Sequence, residues 1–479
     1  MHSYRTTSIQ KVFTYTGLAG LAVLILAGFT ISFFKSTGLI LGLSLISTGV
    51  IGYTYSSYLG LPAGIKNNGV WYRSLTSRGI VAWVVGVVLT AFYVVLYFYP
   101  EYLEGIIRLF DPLSEGLSGK KASQWFVYGV LYTLAIVLFG IKFIKKYKHS
   151  KYQKYRTYSV IFFQTIFAFL IPEIMARLNG DLPYYDLKSI WPLNYYLFDS
   201  YQLDGFIQNG SLGTALLIFG ILSTLIITPI LTYKFGKRWY CSWVCGCGGL
   251  AETAGDPFRQ LSDKSLRAWK LERWMIHLIL VWVFISTVGV VYSYLLQTPD
   301  SYFIGPNSFL ISVGLLFSLV VGLILWKRID WLAKDARSSI IAISSIVILL
   351  LGFFFFSESD RVLFIPSYQI RSAYGFFIGS IFSGVIGTGF YPILGNRVWC
   401  RFGCPMAAIL GIQQKLFSKF KISTNGGQCI SCGNCSAYCE MGIDVRSYAQ
   451  RQKPIKRASC VGCGICSEVC PRGVLRLES

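Results

Sequence analysis

The chain has 479 residues, of which 54% are hydrophobic and only 14% charged, with a mean hydropathy of +0.53. A soluble protein of this length needs about 25% charged residues to cover its surface, so most of this chain faces lipid; disordered, fibrous and secreted disulfide-rich classes are excluded. The net charge of +22 suits membrane loops, which gather Lys and Arg on one side of a bilayer, better than a nucleic-acid partner.

Ten segments of about 19–23 apolar residues match the roughly 30 Å of hydrocarbon that a spanning helix crosses. They lie at 12–34, 37–59, 79–100, 125–147, 156–178, 212–233, 273–296, 308–326, 337–357 and 373–394. The first is too long for a signal-peptide core and lacks a small-residue cleavage pattern, so it reads as a retained anchor. The connections alternate in charge. Lys142, Lys145, Lys146, Lys148, Lys151, Lys154 and Arg156 occur without an acid, and the 234–272 connection and the tail are also basic. The alternate loops carry Glu101, Glu104, Asp111 and Glu115, then Asp181, Asp186, Asp199 and Asp204, then Glu358 and Asp360. This alternation predicts a multi-pass protein of the bacterial cytoplasmic (inner) membrane, with both termini and every cysteine cytoplasmic. Two outer loops, one containing Asp111-Pro112-Leu113-Ser114 and one the aromatic stretch 182–207, are long for connectors and suit either partner docking or an interfacial belt. The last segment is rich in small residues (Gly375, Gly379, Gly384, Gly387, Gly389), which lets helices pack closely.

The 13 cysteines fall in tight groups, which argues for metal ligands in a reducing compartment and against disulfides. The tail holds C-I-S-C-G-N-C-S-A-Y-C at Cys429, Cys432, Cys435 and Cys439, and C-V-G-C-G-I-C-S-E-V-C-P at Cys460, Cys463, Cys466 and Cys470. Both read C-x2-C-x2-C-x3-C. That spacing wraps three thiolates around a cubane while the fourth crosses to the other cluster. It predicts two [4Fe–4S] clusters, one on Cys429, Cys432, Cys435 and Cys470, the other on Cys460, Cys463, Cys466 and Cys439. A zinc site expects C-x2-C pairs with longer spacers. Gly433 and Gly464 let backbone N–H groups approach the sulfides. Cys439 is followed by Glu440, where many ferredoxins have Pro. The expected fold is an all-α polytopic membrane domain of about ten helices with a small C-terminal α+β bacterial-type 2[4Fe–4S] ferredoxin module. Its parts are a membrane domain over 1–395, a membrane-edge cysteine motif and linker over 396–424, and the module over 425–479.

A second pattern is an internal repeat. G-K-R-W-Y-C-S-W-V-C-G-C (236–247) and G-N-R-V-W-C-R-F-G-C-P (395–405) align as G-x-R-x-[WY]-C-x3-C. Cys241, Cys245, Cys400 and Cys404 are candidates for a third iron–sulfur centre; a redox-active thiol pair and simple packing are the alternatives. Cys247 stands alone and reads as a packing thiol.

With these motifs in hand, the chain resembles the membrane-bound polyferredoxins, the NapH-, NosR- and CcoG-type proteins. The resemblance rests on C-R-F-G-C-P (400–405), C-S-W-V-C (241–245) and the two ferredoxin motifs, and covers about 234–260 and 395–479. It implies electron exchange with quinol or with a partner reductase. The chain departs from the family at Gly246, where Pro is usual. It carries no S-G-A-T-type site for covalent FMN, and it has more helices than the nitrate-type subunit.

His2, His149 and His277 are the three histidines, too few in the bilayer for a bis-His haem. Candidates for handling a quinol proton are Glu173, in the fifth segment beside Pro172, and His277 at the start of the seventh. Glu173 alternatively pairs with Arg177 at i,i+4, and His277 alternatively bonds a carbonyl at the interface. Arg238 and Arg397 occupy matching repeat positions, as quinone or cluster contacts or as positive-inside anchors. The expected function is membrane electron transfer between the clusters and the quinone pool, a partner reductase or a ferredoxin subunit. A redox assembly factor for a client metalloenzyme is the main rival. A redox-coupled ion transporter fits least, because intramembrane carboxylates are nearly absent.

Overall fold

The computed structural model describes residues 7–29, 35–58, 73–179, 185–186, 188–298, 304–328 and 334–479. His2 and Asp181 lie outside them. In chain order the helices are α1 (Ser8–Phe29), α2 (Lys35–Tyr58), α3 (Ile80–Phe98), α4 (Gln124–Lys146), α5 (Lys151–Leu178), α6 (Gly210–Phe235), α7 (Gly246–Thr253), α8 (Leu266–Gln297), α9 (Pro306–Arg328), α10 (Lys334–Ser357), α11 (Ser367–Gly389) and α12 (Pro405–Leu416). Among the described residues, nine are long and apolar enough to cross a membrane, all but α7, α10 and α12. The protein is therefore a multi-pass membrane protein. The segment expected at 337–357 forms the 24-residue helix α10, whose described apolar stretch is Ile343–Ser357.

These segments are helical because lipid offers the backbone no hydrogen-bond partner, so each N–H must find its own chain. Their outer faces stay apolar: Ile80, Val84, Val87 and Val88 of α3 are exposed, as a lipid-facing helix requires. Serine caps start three of them. Ser123 accepts the Phe126 N–H (3.2 Å), Ser150 the Gln153 N–H (3.3 Å) and Ser265 the Ala268 N–H (3.2 Å). Wide π-type winding occupies Phe163–Leu170 of α5, Ser223–Ile227 of α6 and Gly375–Gly389 of α11.

A short hairpin, β1 (Arg361–Val362) with β2 (Ile365–Pro366), precedes α11. The C-terminal module is closed by β3 (Lys421–Thr424), antiparallel to β4 (Leu475–Glu478). Its short helices Asn434–Ala437 and Ile465–Glu468 begin at Gly433 and Gly464, both left-handed (φ 76° and 77°). The two halves of the module thus repeat in conformation as well as in spacing. One buried cluster runs without a break from the membrane helices into the module, through Val283, Ile378, Trp399, Ile455 and Val461.

Described residues of both long loops pack on the membrane helices. In the first, Leu109 and Phe110 are buried against α1 and α4 residues, and Asp111 Oδ1 accepts the Ala122 N–H (2.8 Å). In the second, the chain turns inward over 188–199. Ile190 joins the central core, and the Lys188 carbonyl accepts the Tyr240 hydroxyl (2.5 Å). Trp191 Nε1 donates to Thr287 Oγ1 (3.2 Å), and Asp199 pairs with Arg371 of α11. Irregular backbone is tolerated at this depth because protein, and not lipid, surrounds it.

Candidate iron–sulfur sites

Both copies of the repeat fold the same way. Gly236 (φ 67°) ends α6, and Gly395 (φ 93°) ends the short helix Tyr391–Leu394 that follows α11, positions where a side chain would be strained. The chain then turns back between the helices. The second cysteine of each copy, Cys245 and Cys404, is the N-cap of a helix, α7 and α12. Cys404 Sγ accepts the Ala407 N–H (3.4 Å), so the positive end of α12 faces that sulfur. Pro405 opens α12, a position that suits Pro. Gly246 opens α7, and a Cβ there would lie 2.7 Å from Gln164 Oε1 and 3.3 Å from Lys188 Nζ, the movable ends of two side chains.

Turning back carries the cysteines deeper than the helix ends. Gly246 packs level with Gln164, 13 residues into α5, or about 20 Å at 1.5 Å per residue. Gly403 packs on Phe382, well inside α11. Cys241, Cys245, Cys400 and Cys404 are all buried in one cluster with Tyr240, Ile279, Val283 and Trp399, and are close enough to act on one another electrostatically. Cys247 is part of this group, partly buried against the same cluster. Arg397 Nη1 lies 3.6 Å from Cys400 Sγ and donates to the Cys241 carbonyl (3.1 Å). Four sulfurs, a buried guanidinium and a helix terminus form a donor set suited to an anionic thiolate centre.

The module holds two cavities. One gathers Cys429, Cys432, Cys435 and Cys470; the other gathers Cys439, Cys460, Cys463 and Cys466. These are the two crossed sets that the spacing groups together. The second cavity faces the membrane domain and is gripped from several sides. Tyr152 donates to the Gly462 carbonyl (2.8 Å), Gln153 to Cys463 (2.9 Å), Ser242 to Val461 (2.8 Å), Gln414 to Cys460 (2.9 Å) and Lys237 to Ala458 (2.9 Å).

Beside it lies a buried network of four cations and three carboxylates. Glu252 Oε1 meets Arg156 Nη1 (2.6 Å) and Arg397 Nη2 (2.7 Å), and its other oxygen meets Arg259. Arg259 also pairs with Asp256 (2.8 Å) and Glu440 (2.6 Å), Lys146 with Asp256 (2.7 Å), and Arg397 Nε with Glu440 (3.1 Å). Asn396 donates to Glu440 (3.0 Å). Burial alone would push the Glu252 carboxyl up, but its three guanidiniums outweigh burial and hold it well below the usual range. Burial pushes Glu440 up, and Arg259 and Arg397 offset only part of that. Glu252, Glu440 and Cys463 come within 4.8 Å of one another. The guanidiniums already engage both carboxylates, and Glu440 and Cys463 of this trio also line the second cavity.

Glu252, Asp256 and Arg259 belong to no motif in the sequence. Their i, i+4, i+7 spacing, acids on one helical face of a basic connection, was the available signal. Glu440 was noted only as a missing Pro; it is the residue that joins the module to the network.

The proton-handling candidates sit apart from this core. Glu173 is half-buried near the far end of α5, while Arg177 donates to the Gly116 carbonyl and forms no ion pair with Glu173 among the described residues. His277 is half-buried on α8 near Arg273 and Lys415. The paired arginines diverge: Arg397 is fully buried at the cysteines, whereas Arg238 lies over the Phe420 ring (4.8 Å) and bonds Ser479 (2.9 Å).

Residues 428–475 match the family described as 4Fe-4S dicluster domain, and residues 216–265 and 374–424 both match the 4Fe-4S binding domain family. The latter two stretches contain the two copies of the repeat. The chain is 25% identical over 226 residues to the "Putative electron transport protein YccM" of Escherichia coli (strain K12), covering 47% of this chain and 48% of that protein. It thus spans about half the length of that curated relative. No solved structure matches it. Helical membrane domain, cysteine cavities and matches together define a membrane protein with 4Fe-4S domains carrying two [4Fe–4S] clusters. Within that class the matches support a likeness to the membrane polyferredoxins.

Proposed function

We propose that this protein connects a redox partner at the module to the quinone pool, or to a partner oxidoreductase, in the membrane. Cys429, Cys432, Cys435 and Cys470 hold one cluster; Cys439, Cys460, Cys463 and Cys466 hold the other; Cys241, Cys245, Cys400 and Cys404 hold a third centre. When bound, such clusters exchange single electrons at potentials set by charge, hydrogen bonds and burial. The chain's own contribution is order. The first cavity opens outward, the second is pressed on the membrane domain, and the buried cysteines lie deeper still. The observation that carries this reading is the single core that contains Cys460 and Cys466 together with Cys241, Cys245, Cys400 and Cys404. The basic connections support a cytoplasmic module in a bacterial inner membrane. Network residues fix the second cavity against the repeat, and Arg397, touching both Glu440 and Cys400, ties the two sites together.

The test is low-temperature EPR with iron quantitation on protein purified without oxygen, reduced first with a menaquinol analogue and then with dithionite. About eight irons correspond to two cubanes; the third centre requires more, lost in Cys241→Ser or Cys404→Ser. Signals with menaquinol are the expected result. Signals with dithionite alone would overturn the quinol link and favour a redox factor serving a client enzyme.

A further inference from the structure

The two cavities of the module differ in what surrounds their mouths. The Cys439/Cys460/Cys463/Cys466 cavity is covered by the membrane domain. The Cys429/Cys432/Cys435/Cys470 cavity is bordered by exposed side chains: Ile430, Cys432, Arg446, Pro471 and Arg472. Ile430, 55% exposed, puts an apolar contact at the mouth. Arg446 and Arg472 flank it, and neither forms an ion pair with a carboxylate among the described residues. Farther along the module, Arg451, Lys453 and Arg476 are exposed as well. The exposed acids are Asp444, which accepts from Ser436 (2.8 Å), and Glu478, which pairs with Lys421 (3.3 Å).

We infer that this mouth is the docking face for a small acidic one-electron carrier protein, such as a flavodoxin or an acidic ferredoxin. The inference rests on the reading that Cys429, Cys432, Cys435 and Cys470 hold a cluster. An apolar centre ringed by cations steers an acidic partner into contact, with rates that fall as salt screens the field. Anionic lipid is not the ligand, because the face of the module toward the bilayer is the one the membrane domain covers. In each transfer one electron leaves the reduced carrier and one cluster gains it; no bond forms and no proton moves.

The experiment measures stopped-flow reduction of the whole protein in detergent. The reductants are reduced flavodoxin as the acidic probe and the reduced methyl viologen cation as a control of opposite charge. The flavodoxin rate should fall steeply with ionic strength and the viologen rate should not. R446E/R472E should slow flavodoxin by about tenfold or more at low salt, with R446Q/R472Q between it and wild type. Iron content and the dithionite-reduced EPR spectrum check that either variant is intact, and the milder pair stands if charge reversal disturbs the module. Equal flavodoxin rates in wild type and R446Q/R472Q, or a wild-type rate indifferent to salt, would overturn the docking face. Failure of wild type to give signals with dithionite would instead overturn the cluster reading beneath it.

Discussion

The two ferredoxin half-motifs have the same spacing and the same left-handed glycine before the same short helix, yet their surroundings are opposite. Around Cys429–Cys435 the loop touches its own module, as in the Gln450 to Ser431 bond (2.8 Å), and Cys432 is exposed. Around Cys460–Cys466 the loop carbonyls are taken by α5, α12 and the repeat. The residue after the crossing cysteine follows suit. Pro471 is at the open cavity, and Glu440, in place of Pro, is at the covered one. Spacing decides that a cubane can form; flanking residues decide whether it meets solvent or the membrane domain.

The most direct way to break this asymmetry is at Glu440. Glu440→Ala leaves Arg259 and Arg397 buried with a partner missing, which costs about 3–5 kcal/mol when a buried ionic network loses one member. The module should then loosen from the membrane domain, seen as faster proteolysis between α12 and Cys429 and a lower Tm. Glu440→Pro restores the ferredoxin residue yet should fail in the same way. An unchanged Tm in both variants would mean that the network does not hold the module.

Next in size is Gly246→Pro, which restores the family residue at the start of α7. The added atoms would displace the ends of the Gln164 and Lys188 side chains, and moving Gln164 from its bond to Thr133 (3.2 Å) costs about 1 kcal/mol. The expected outcome is a lower Tm with the two module clusters intact by EPR, since the clash is on the membrane side of the repeat.

A pH prediction follows from Asp256. Burial alone would raise its carboxyl, but Lys146 and Arg259 outweigh burial and hold it below its ordinary value. A depressed carboxylate stabilises the fold fully above its unfolded value, about 3.9, and that stability is lost as pH falls through the folded value. Between pH 6 and 3, Tm of the wild type should therefore fall more steeply at the acid end than that of Asp256→Asn. Parallel curves would remove Asp256 from the acid response.

Much of this asymmetry was not legible in the sequence, for physical reasons. Hydropathy placed ten segments, nine of which are helices long and apolar enough to span among the described residues, and spacing located both cluster motifs and the repeat, because each is a local pattern. The network is not local: Arg259 and Glu440 are 181 residues apart, and no window contains both. The inward turn at 188–199 was hidden by composition, since its aromatic and polar residues read as surface while in fact they line the interior beside Tyr240 and Thr287. The depth of Cys241, Cys245, Cys400 and Cys404 was hidden by the same cause. A C-x3-C after a spanning helix reads as lying at its end, and only Gly236 and Gly395 hint that the chain reverses.

The finest test compares single hydrogen bonds on the two sides. Tyr152→Phe removes the donor to the Gly462 carbonyl at the covered cavity, whereas Gln450→Ala removes the donor to Ser431 at the open one. A buried bond is worth about 1 kcal/mol net, with a further penalty when its partner stays buried and unsatisfied; an exposed change usually falls within about 0.5 kcal/mol. Water replaces Gln450 at the open loop but cannot easily reach Gly462. Tyr152→Phe should therefore lower Tm measurably and raise hydrogen exchange across 457–464, while Gln450→Ala changes neither. Equal effects from the two would mean that water reaches the covered loop as freely as the open one, and the contrast between the two half-motifs would then rest on the ionic network alone.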